Sequence, residues 1–444
     1  MNKKNVYFTT LGCSKNDIDT DTMRTILEDK NYKSVYQPDQ ADIIVVNTCG
    51  FIDAAKEESI GEILEMADYK ADSNKKLLVA GCLAQRYAQE LLEEIPEIDG
   101  IIGTGQIKNI EDYIEQIDHG DRISETGNIN AAYEEGLYKR EVSKTEYVKI
   151  GEGCNNFCSY CIIPKLRGKN RSRKIEDIYN EVSYLVSKGA REIILIAQNT
   201  TDYGIDNYKD YSLARLLNKL EEIKDLKWIR VLYLYPDNFT DDLIEAFKNN
   251  KKLVPYVDIP LQHISDKVLK NMNRSTDKAA IIKLIEKLRR EVPNIVIRST
   301  FIVGFPQESE EDFLELVDFL KEVRLDKVGV FEYSHEEGTK AYDMDGQIPD
   351  DIKAKRKSYI MEVQEEISNA NMEKYLNKTY EMLIEEIYDD LLVGRTIIDC
   401  PEIDGVSLVY GPFNKDYQLG DFIDIKIIDH LEHDLIGEIY ESSK

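Results

Sequence analysis

Over the first hundred residues, short apolar runs alternate with longer stretches whose apolar positions recur at helical spacing. The runs lie at residues 6–8, 43–46, 77–80 and 101–102, with amphipathic segments such as 19–30 and 54–69 between them. Continuous apolar runs suit strands buried on both faces, so this part predicts a parallel α/β sheet. A polar stretch rich in Glu, Asn and Gly, residues 119–143, reads as a linker. The strand-then-helix rhythm then resumes, with candidate strands at 147–150, 192–197, 229–234, 256–259, 295–301 and 327–331, and helices that include 175–188 and 278–290. Six such units predict an incomplete parallel barrel whose chemistry would sit at the carboxyl ends of its strands. After a charged helix, 351–375, short alternating runs at 382–384, 391–393, 406–409 and 422–425 predict a small antiparallel β-barrel. The predicted division is 1–118 for an N-terminal α/β domain, 119–143 for a linker, 144–375 for the partial barrel and 378–444 for the small barrel.

Composition narrows the functional classes. The 444 residues are 42% hydrophobic and 32% charged, enough to bury real cores. The formal net charge is −27, the wrong sign for a protein held to nucleic acid mainly through phosphates, and it favours a basic partner. The first residues hold no apolar stretch of signal-peptide length, and no run approaches the ~18 residues of a membrane span. The expectation is a soluble cytoplasmic chain with no membrane partner.

The seven cysteines carry most of the remaining information. Three of them, Cys154, Cys158 and Cys161, form a C-x3-C-x2-C run in the first loop of the predicted barrel. Three more, Cys13, Cys49 and Cys82, stand just beyond the first three apolar runs of the N-terminal domain. Sites in open α/β sheets form at the carboxyl edge of the strands, so these three could converge, or each could be an inert buried thiol. Cys400 stands alone and reads as a small core filler. Soft thiolates suit zinc or iron–sulfur clusters. A structural zinc ion needs four ligands, and no histidine lies near the central run. Three thiolates on a four-iron cluster leave one iron open to bind a small molecule. Tyr160, just before the last cysteine, could pack over a bound adenine or simply fill its loop.

With these residues in view, the sequence resembles the radical S-adenosylmethionine superfamily and, within it, the methylthiotransferases. The order of parts is the same: an N-terminal, flavodoxin-like domain with Cys13, Cys49 and Cys82; a radical barrel with Cys154, Cys158 and Cys161; and a TRAM-like barrel. The resemblance implies that the central trio holds a 4Fe–4S cluster that binds S-adenosylmethionine, and that the N-terminal trio holds a second 4Fe–4S cluster that carries or donates sulfur. It implies no catalytic residue beyond these six ligands. Gln198, in Ala197-Gln198-Asn199-Thr200, would hydrogen-bond the methionyl part of the cofactor, and Gly304 would let backbone approach the adenosine; each could equally be turn chemistry. His263, at another predicted strand end, reads as a packed histidine.

Finer motifs are similar to the RimO family, which modifies an aspartate of a small-subunit ribosomal protein, uS12. They are Leu11-Gly12-Cys13-Ser14-Lys15-Asn16, Asn47-Thr48-Cys49-Gly50-Phe51-Ile52, Asp258-Ile259-Pro260-Leu261-Gln262-His263 and Gly394-Arg395-Thr396 with Pro401-Glu402-Ile403-Asp404-Gly405. Two departures are Gln307, where a glycine is common, and Cys400, where alanine is usual. The implied partners are uS12 and a reducing electron donor. Residues 378–444 carry five Lys or Arg against sixteen Asp or Glu, which should repel a phosphate backbone and attract a basic protein. Against this stands the basic run 165–174, which could touch a nucleic acid or an acidic side chain. Two other classes stay open: the same chemistry on a transfer-RNA adenosine, and a non-enzymatic adaptor whose cysteines bind zinc.

Overall fold

The computed structural model describes residues 3–70, 74–131 and 135–441. The first sheet contains β1 (Asn5–Thr10), β2 (Lys33–Val35), β3 (Ile43–Thr48), β4 (Lys76–Ala80), β5 (Gly100–Ile102) and β6 (Ile123–Glu125). All pairings are parallel, in the order β2-β1-β3-β4-β5-β6. The first five strands follow the flavodoxin order, and the sixth extends it. The apolar runs are continuous because both faces are covered. Ile44, Val46, Leu77 and Val79 pack with helices Asp53–Lys70 and Gly81–Glu94, while Ile43, Val45 and Leu78 pack with helices Ser14–Asp29 and Ile110–Asp118. The stretch read as a linker is corrected in part: β6 lies within 119–143 and pairs with β5. Its three residues are too short and too polar to register as a strand from the sequence.

The central sheet contains β7 (Thr145–Lys149), β10 (Glu192–Ile196), β11 (Trp228–Val231), β12 (Leu253–Asp258), β13 (Val296–Val303) and β14 (Lys327–Glu332), all parallel and in chain order. Its two outer strands, β7 and β14, do not pair, so it is an open six-stranded arc with helices outside it. Between β7 and β10 a small antiparallel pair, β8 (Gly151–Glu152) and β9 (Arg171–Ser172), pins both ends of the loop that carries the central cysteines.

The last five strands, β15 (Thr379–Ile387), β16 (Leu391–Thr396), β17 (Ser407–Tyr410), β18 (Phe422–His430) and β19 (Leu435–Ile439), close a barrel in the order β15-β16-β17-β19-β18. Four pairings are antiparallel, and β17–β19 is parallel. This barrel seats against the amino-terminal ends of the central strands. Glu192 at the start of β10 meets Arg395 at 2.6 Å and Arg230 at 2.9 Å, and Lys327 at the start of β14 meets Asp399 at 2.7 Å. The Tyr256 hydroxyl donates to Asp404 at 2.6 Å. Cys400 is fully buried in this seam, where burial pushes its thiol up to about 12. The opposite, carboxyl-terminal mouth of the arc is thereby left to the N-terminal domain.

Candidate functional site

Cys13 caps helix Ser14–Asp29 after β1, Cys49 follows β3, and Cys82 is the second residue of helix Gly81–Glu94 after β4. Because β1, β3 and β4 are neighbours in the sheet, their ends bring the three cysteines to one edge. Two glycines allow the close approach. Gly12 has φ +99°, and a Cβ there would lie 2.7 Å from Cys49 Cβ; Gly81 has φ +95°, and a Cβ there would lie 2.4 Å from Asn47 Oδ1. Ser59 Oγ holds Cys49 in place, accepting its N–H at 3.0 Å and donating to its carbonyl at 2.9 Å. Burial pushes the Cys82 thiol up to about 11, against the pull of Arg167, and Cys49 and Cys13 add to the push. Burial also raises Cys49, with Cys13 contributing. The first triplet is thus one electrostatic unit.

The central triplet is built by one tightly tethered loop. Cys154 N–H donates to Gly168 O at 3.1 Å, and Cys161 N–H to Cys158 O at 3.0 Å. Ser159 is tied to Met272 O through its N–H and to Asn271 O through its hydroxyl, at 2.9 and 2.8 Å. Burial raises Cys154 to about 11 and pushes Cys161 higher still, with Cys158 adding to both. The Tyr160 ring packs against an apolar cluster of Val268, Met272, Phe305, Tyr333 and Ala341. Its hydroxyl faces Cys158 and the buried guanidinium of Arg274, which lies over the Tyr235 ring at 4.1 Å from its centroid. Sequence reasoning missed Arg274 and Tyr235, since neither belongs to a spaced motif.

The two triplets meet at one interface, where Cys82 packs directly on Ile162 and Leu166, just beyond Cys161. A buried charge network clamps it. Arg167 Nη1 reaches Asp19 at 2.8 Å and Glu152 at 3.1 Å, its Nη2 donates to Asn16 Oδ1 at 2.5 Å, and Lys149 pairs with both Asp19 and Glu152. Burial alone would raise Glu152; Arg167 and Lys149 outweigh it and hold this carboxyl well below its usual range. Farther out, Glu336 accepts from both Lys56 and Arg86 at 2.9 Å. The basic run 165–174 is divided, with Arg167 and Arg173 turned inward and Lys165, Lys169 and Lys174 left exposed. Arg167 and Arg173 are buried on carboxylates, Lys165 donates to Gly338 O, and Lys174 pairs with Glu135.

The remaining predicted residues have mixed placements. Gln198 Nε2 donates to Glu152 Oε1 at 2.5 Å, while its Oε1 is buried without a partner, as is Asn199 Nδ2. The space above Gly304, φ +73°, is filled by the Lys353 stem, 2.3 Å from where a Cβ would stand. His263 is buried and accepts the Ser265 N–H, as a packed histidine would. Gln307 adopts φ +66°, a conformation glycine would take without strain. Among the described residues, no three His, Cys, Asp or Glu side chains form a group that could hold a single metal ion. One tetrahedral ion would need its thiolates within roughly 3.8 Å of each other at ordinary zinc–sulfur distances. A cluster gives each thiolate its own iron, and two coupled triplets with no histidine among them fit that donor set.

Comparison with known proteins agrees with this architecture. Residues 5–103 match Uncharacterized protein family UPF0004, residues 148–320 the Radical SAM superfamily, and residues 378–439 the TRAM domain. Among solved structures, the radical S-adenosylmethionine methyltransferase TsrM from Kitasatospora setae superposes with a TM-score of 0.59 at 13% identity, covering 74% of this chain and 73% of that one. The cobalamin-dependent S-adenosylmethionine radical enzyme OxsB superposes at 0.52 and 14% identity, covering 81% and 56%. These two share the fold. The relative named ribosomal protein uS12 methylthiotransferase RimO in Thermoanaerobacter sp. (strain X514) is 49% identical over 98% of this chain and 100% of its own length. The protein of that name in Clostridium botulinum (strain Eklund 17B / Type B) is 47% identical over the full length of both. With three domain matches in order and such identity end to end, this chain belongs to the RimO family of radical S-adenosylmethionine methylthiotransferases.

Proposed function

We propose that this chain replaces a hydrogen on the β-carbon of an aspartate in ribosomal protein uS12 with a methylthio group, using S-adenosylmethionine and two 4Fe–4S clusters. The observation that carries the reading is the placement of two cysteine triplets on either side of one interface, with Cys82 packed on Ile162 and Leu166 just beyond Cys161. Cys154, Cys158 and Cys161 would hold the cluster that binds S-adenosylmethionine, and Cys13, Cys49 and Cys82 the one that presents sulfur. When bound, these groups supply the radical that breaks an unactivated C–H bond and the sulfur and methyl that replace the hydrogen.

The chain's own residues position and enclose that chemistry. Gly12 and Gly81 permit the first triplet to close, and the Arg167 network fixes the N-terminal domain on the barrel mouth, shedding water from the seam. Tyr160 and Arg274 pack behind Cys158, and Gln198 and Asn199 offer unpartnered polar atoms at the end of β10. A transfer-RNA substrate is the weaker reading, because Arg167 and Arg173 of the basic run that favoured it are buried on carboxylates and the last domain is acidic. The reaction belongs in the cytoplasm with the ribosomal protein, and a reducing electron donor must serve the clusters.

The test is mass spectrometry of uS12 after incubation with reconstituted enzyme, S-adenosylmethionine and a reductant. One aspartate should gain a methylthio group, and the enzyme should hold about eight irons with matching sulfide. Cys158→Ala should lose cofactor cleavage; Cys49→Ala should keep cleavage and lose sulfur insertion. Sulfur insertion retained by the Cys49 variant would refute the role given to the first triplet, and stoichiometric zinc would end the enzyme reading.

A further inference from the structure

Lys15, two residues after Cys13, has only 7% of its surface exposed. Lysine is rarely buried without a counter-charge, because an unpaired ammonium forfeits its hydration. The other lysines buried this deeply have carboxylates: Lys149 sits on Asp19 and Glu152, and Lys353 on Asp350. Among the described residues Lys15 makes no ion pair or hydrogen bond. Its ammonium instead lies 3.6 Å from the centroid of the Tyr233 ring, a cation–π contact that leaves its charge uncompensated.

The surroundings are those of a ligand site. Tyr233 stands just beyond β11 with φ +62°, left-handed backbone that a bulky residue adopts only when its surroundings enforce it, and its N–H is held by Asp258 Oδ2 at 3.0 Å. Gln262, beyond β12, is likewise left-handed at φ +71°. Ile18, one turn after Lys15, packs with Ile194 and Ile196 of β10. The start of this helix therefore stands over the carboxyl-terminal mouth of the open barrel, beside the first cysteine triplet.

We infer that Lys15 reads the carboxylate of the substrate aspartate. This rests on the proposed function and deepens it by naming the residue that selects an acidic side chain. An entering carboxylate gives the ammonium the counter-charge the protein withholds. An amide or a nucleobase seated there would cover the ammonium without pairing it, and the hydration lost on covering becomes the discrimination. S-adenosylmethionine also carries a carboxylate, but the central cluster's open iron would engage that one.

The experiment titrates wild type, Lys15→Met and Lys15→Arg holoenzyme, in S-adenosylmethionine without reductant, with uS12 and with uS12 whose modified aspartate is changed to asparagine. Wild type should prefer the aspartate form by about tenfold or more. Lys15→Met should bind both forms alike, and Lys15→Arg should keep part of the preference. A wild-type preference surviving in Lys15→Met overturns the inference. If that survival comes with weakened S-adenosylmethionine binding, Lys15 belongs to the cofactor; if it comes with a shifted cluster midpoint potential, Lys15 is a counter-charge to the cluster. Failure of wild type to bind either form of uS12 is a separate result that removes the proposed function and this inference with it.

Discussion

His263 is fully buried, and its Nδ1 accepts the Ser265 N–H at 3.0 Å, which places the ring proton on Nε2. Nε2 stands 3.8 Å from Glu308 Oε2, too far for a hydrogen bond. Burial holds this imidazole down to about 3; Asp312 opposes that, and Arg356 and Lys267 reinforce it. An unfolded chain takes up the proton near 6.5, so the contribution is complete above that pH and is lost as pH falls toward 3. About 2 kcal/mol should be gone by pH 5. Glu308 runs the other way: burial raises its carboxyl to about 7 against Arg356, so its contribution is lost as pH rises through 7. The informative quantity is therefore a difference. Urea unfolding of wild type and His263→Asn at pH 8 and pH 5 should show wild type losing about 2 kcal/mol more than the variant on acidification. An equal loss in both would mean that the ring is already protonated or solvated in the folded state. At this scale the six cysteines were legible because spacing and strand ends mark them. Lys15, Arg167 and Arg274 were not, since their surroundings are assembled from segments more than a hundred residues apart or from loops without a motif.

Elements were legible wherever burial is two-sided. β3 is buried at all six positions, and its continuous apolar run announces it. β2 and β6, three residues each at the two edges of the first sheet, and β19, broken by Gly437, carry too little pattern to register. The strand-to-helix junctions matter more to the site than the strands, and Gly81 is the clearest case. Its φ of +95° turns the chain from β4 into the helix that carries Cys82, and a Cβ would lie 2.5 Å from Thr48 O and 2.4 Å from Asn47 Oδ1. Both obstacles belong to β3, which is paired with β4 over five residues and buried on both faces, so they cannot move aside. Gly81→Ala should therefore cost about 2 kcal/mol or more in unfolding free energy. It should also lower the iron held by the N-terminal triplet while the central triplet keeps its own. Iron content and melting of the variant in a Cys154/Cys158/Cys161 triple-alanine background isolate the effect. Wild-type iron there would show that the junction tolerates a side chain.

At the scale of the whole molecule, net charge and its distribution make different arguments. The sum of −27 disfavoured nucleic acid from the outset, while the basic run 165–174 argued for it. The fold resolves part of the conflict: Arg167 and Arg173 neutralise Asp19, Glu152, Asp177 and Glu181 inside the protein, which leaves Lys165, Lys169 and Lys174 as the exposed remainder of the run. The acidic excess of the last barrel is only partly spent, on Lys327 and Arg298 of the central strands. Asp389, Asp390, Asp421, Asp424 and Asp429 stay exposed. Exposed like charges act through the field they project, which is screened over roughly 10 Å at 0.1 M salt, and they govern association rate more than dissociation rate. Association of the holoenzyme with uS12 should accordingly slow several-fold as salt rises, with little change in dissociation. Asp389→Lys, Asp390→Lys and Asp421→Lys together should slow it at low salt and flatten the dependence. Surface plasmon resonance at stepped ionic strength measures both rates. A rate indifferent to salt would mean that uS12 is captured by contacts at the barrel mouth alone, with the acidic barrel a solvated wall. A steep salt dependence for transfer RNA in place of uS12 would point to the exposed Lys165, Lys169 and Lys174 as its footing.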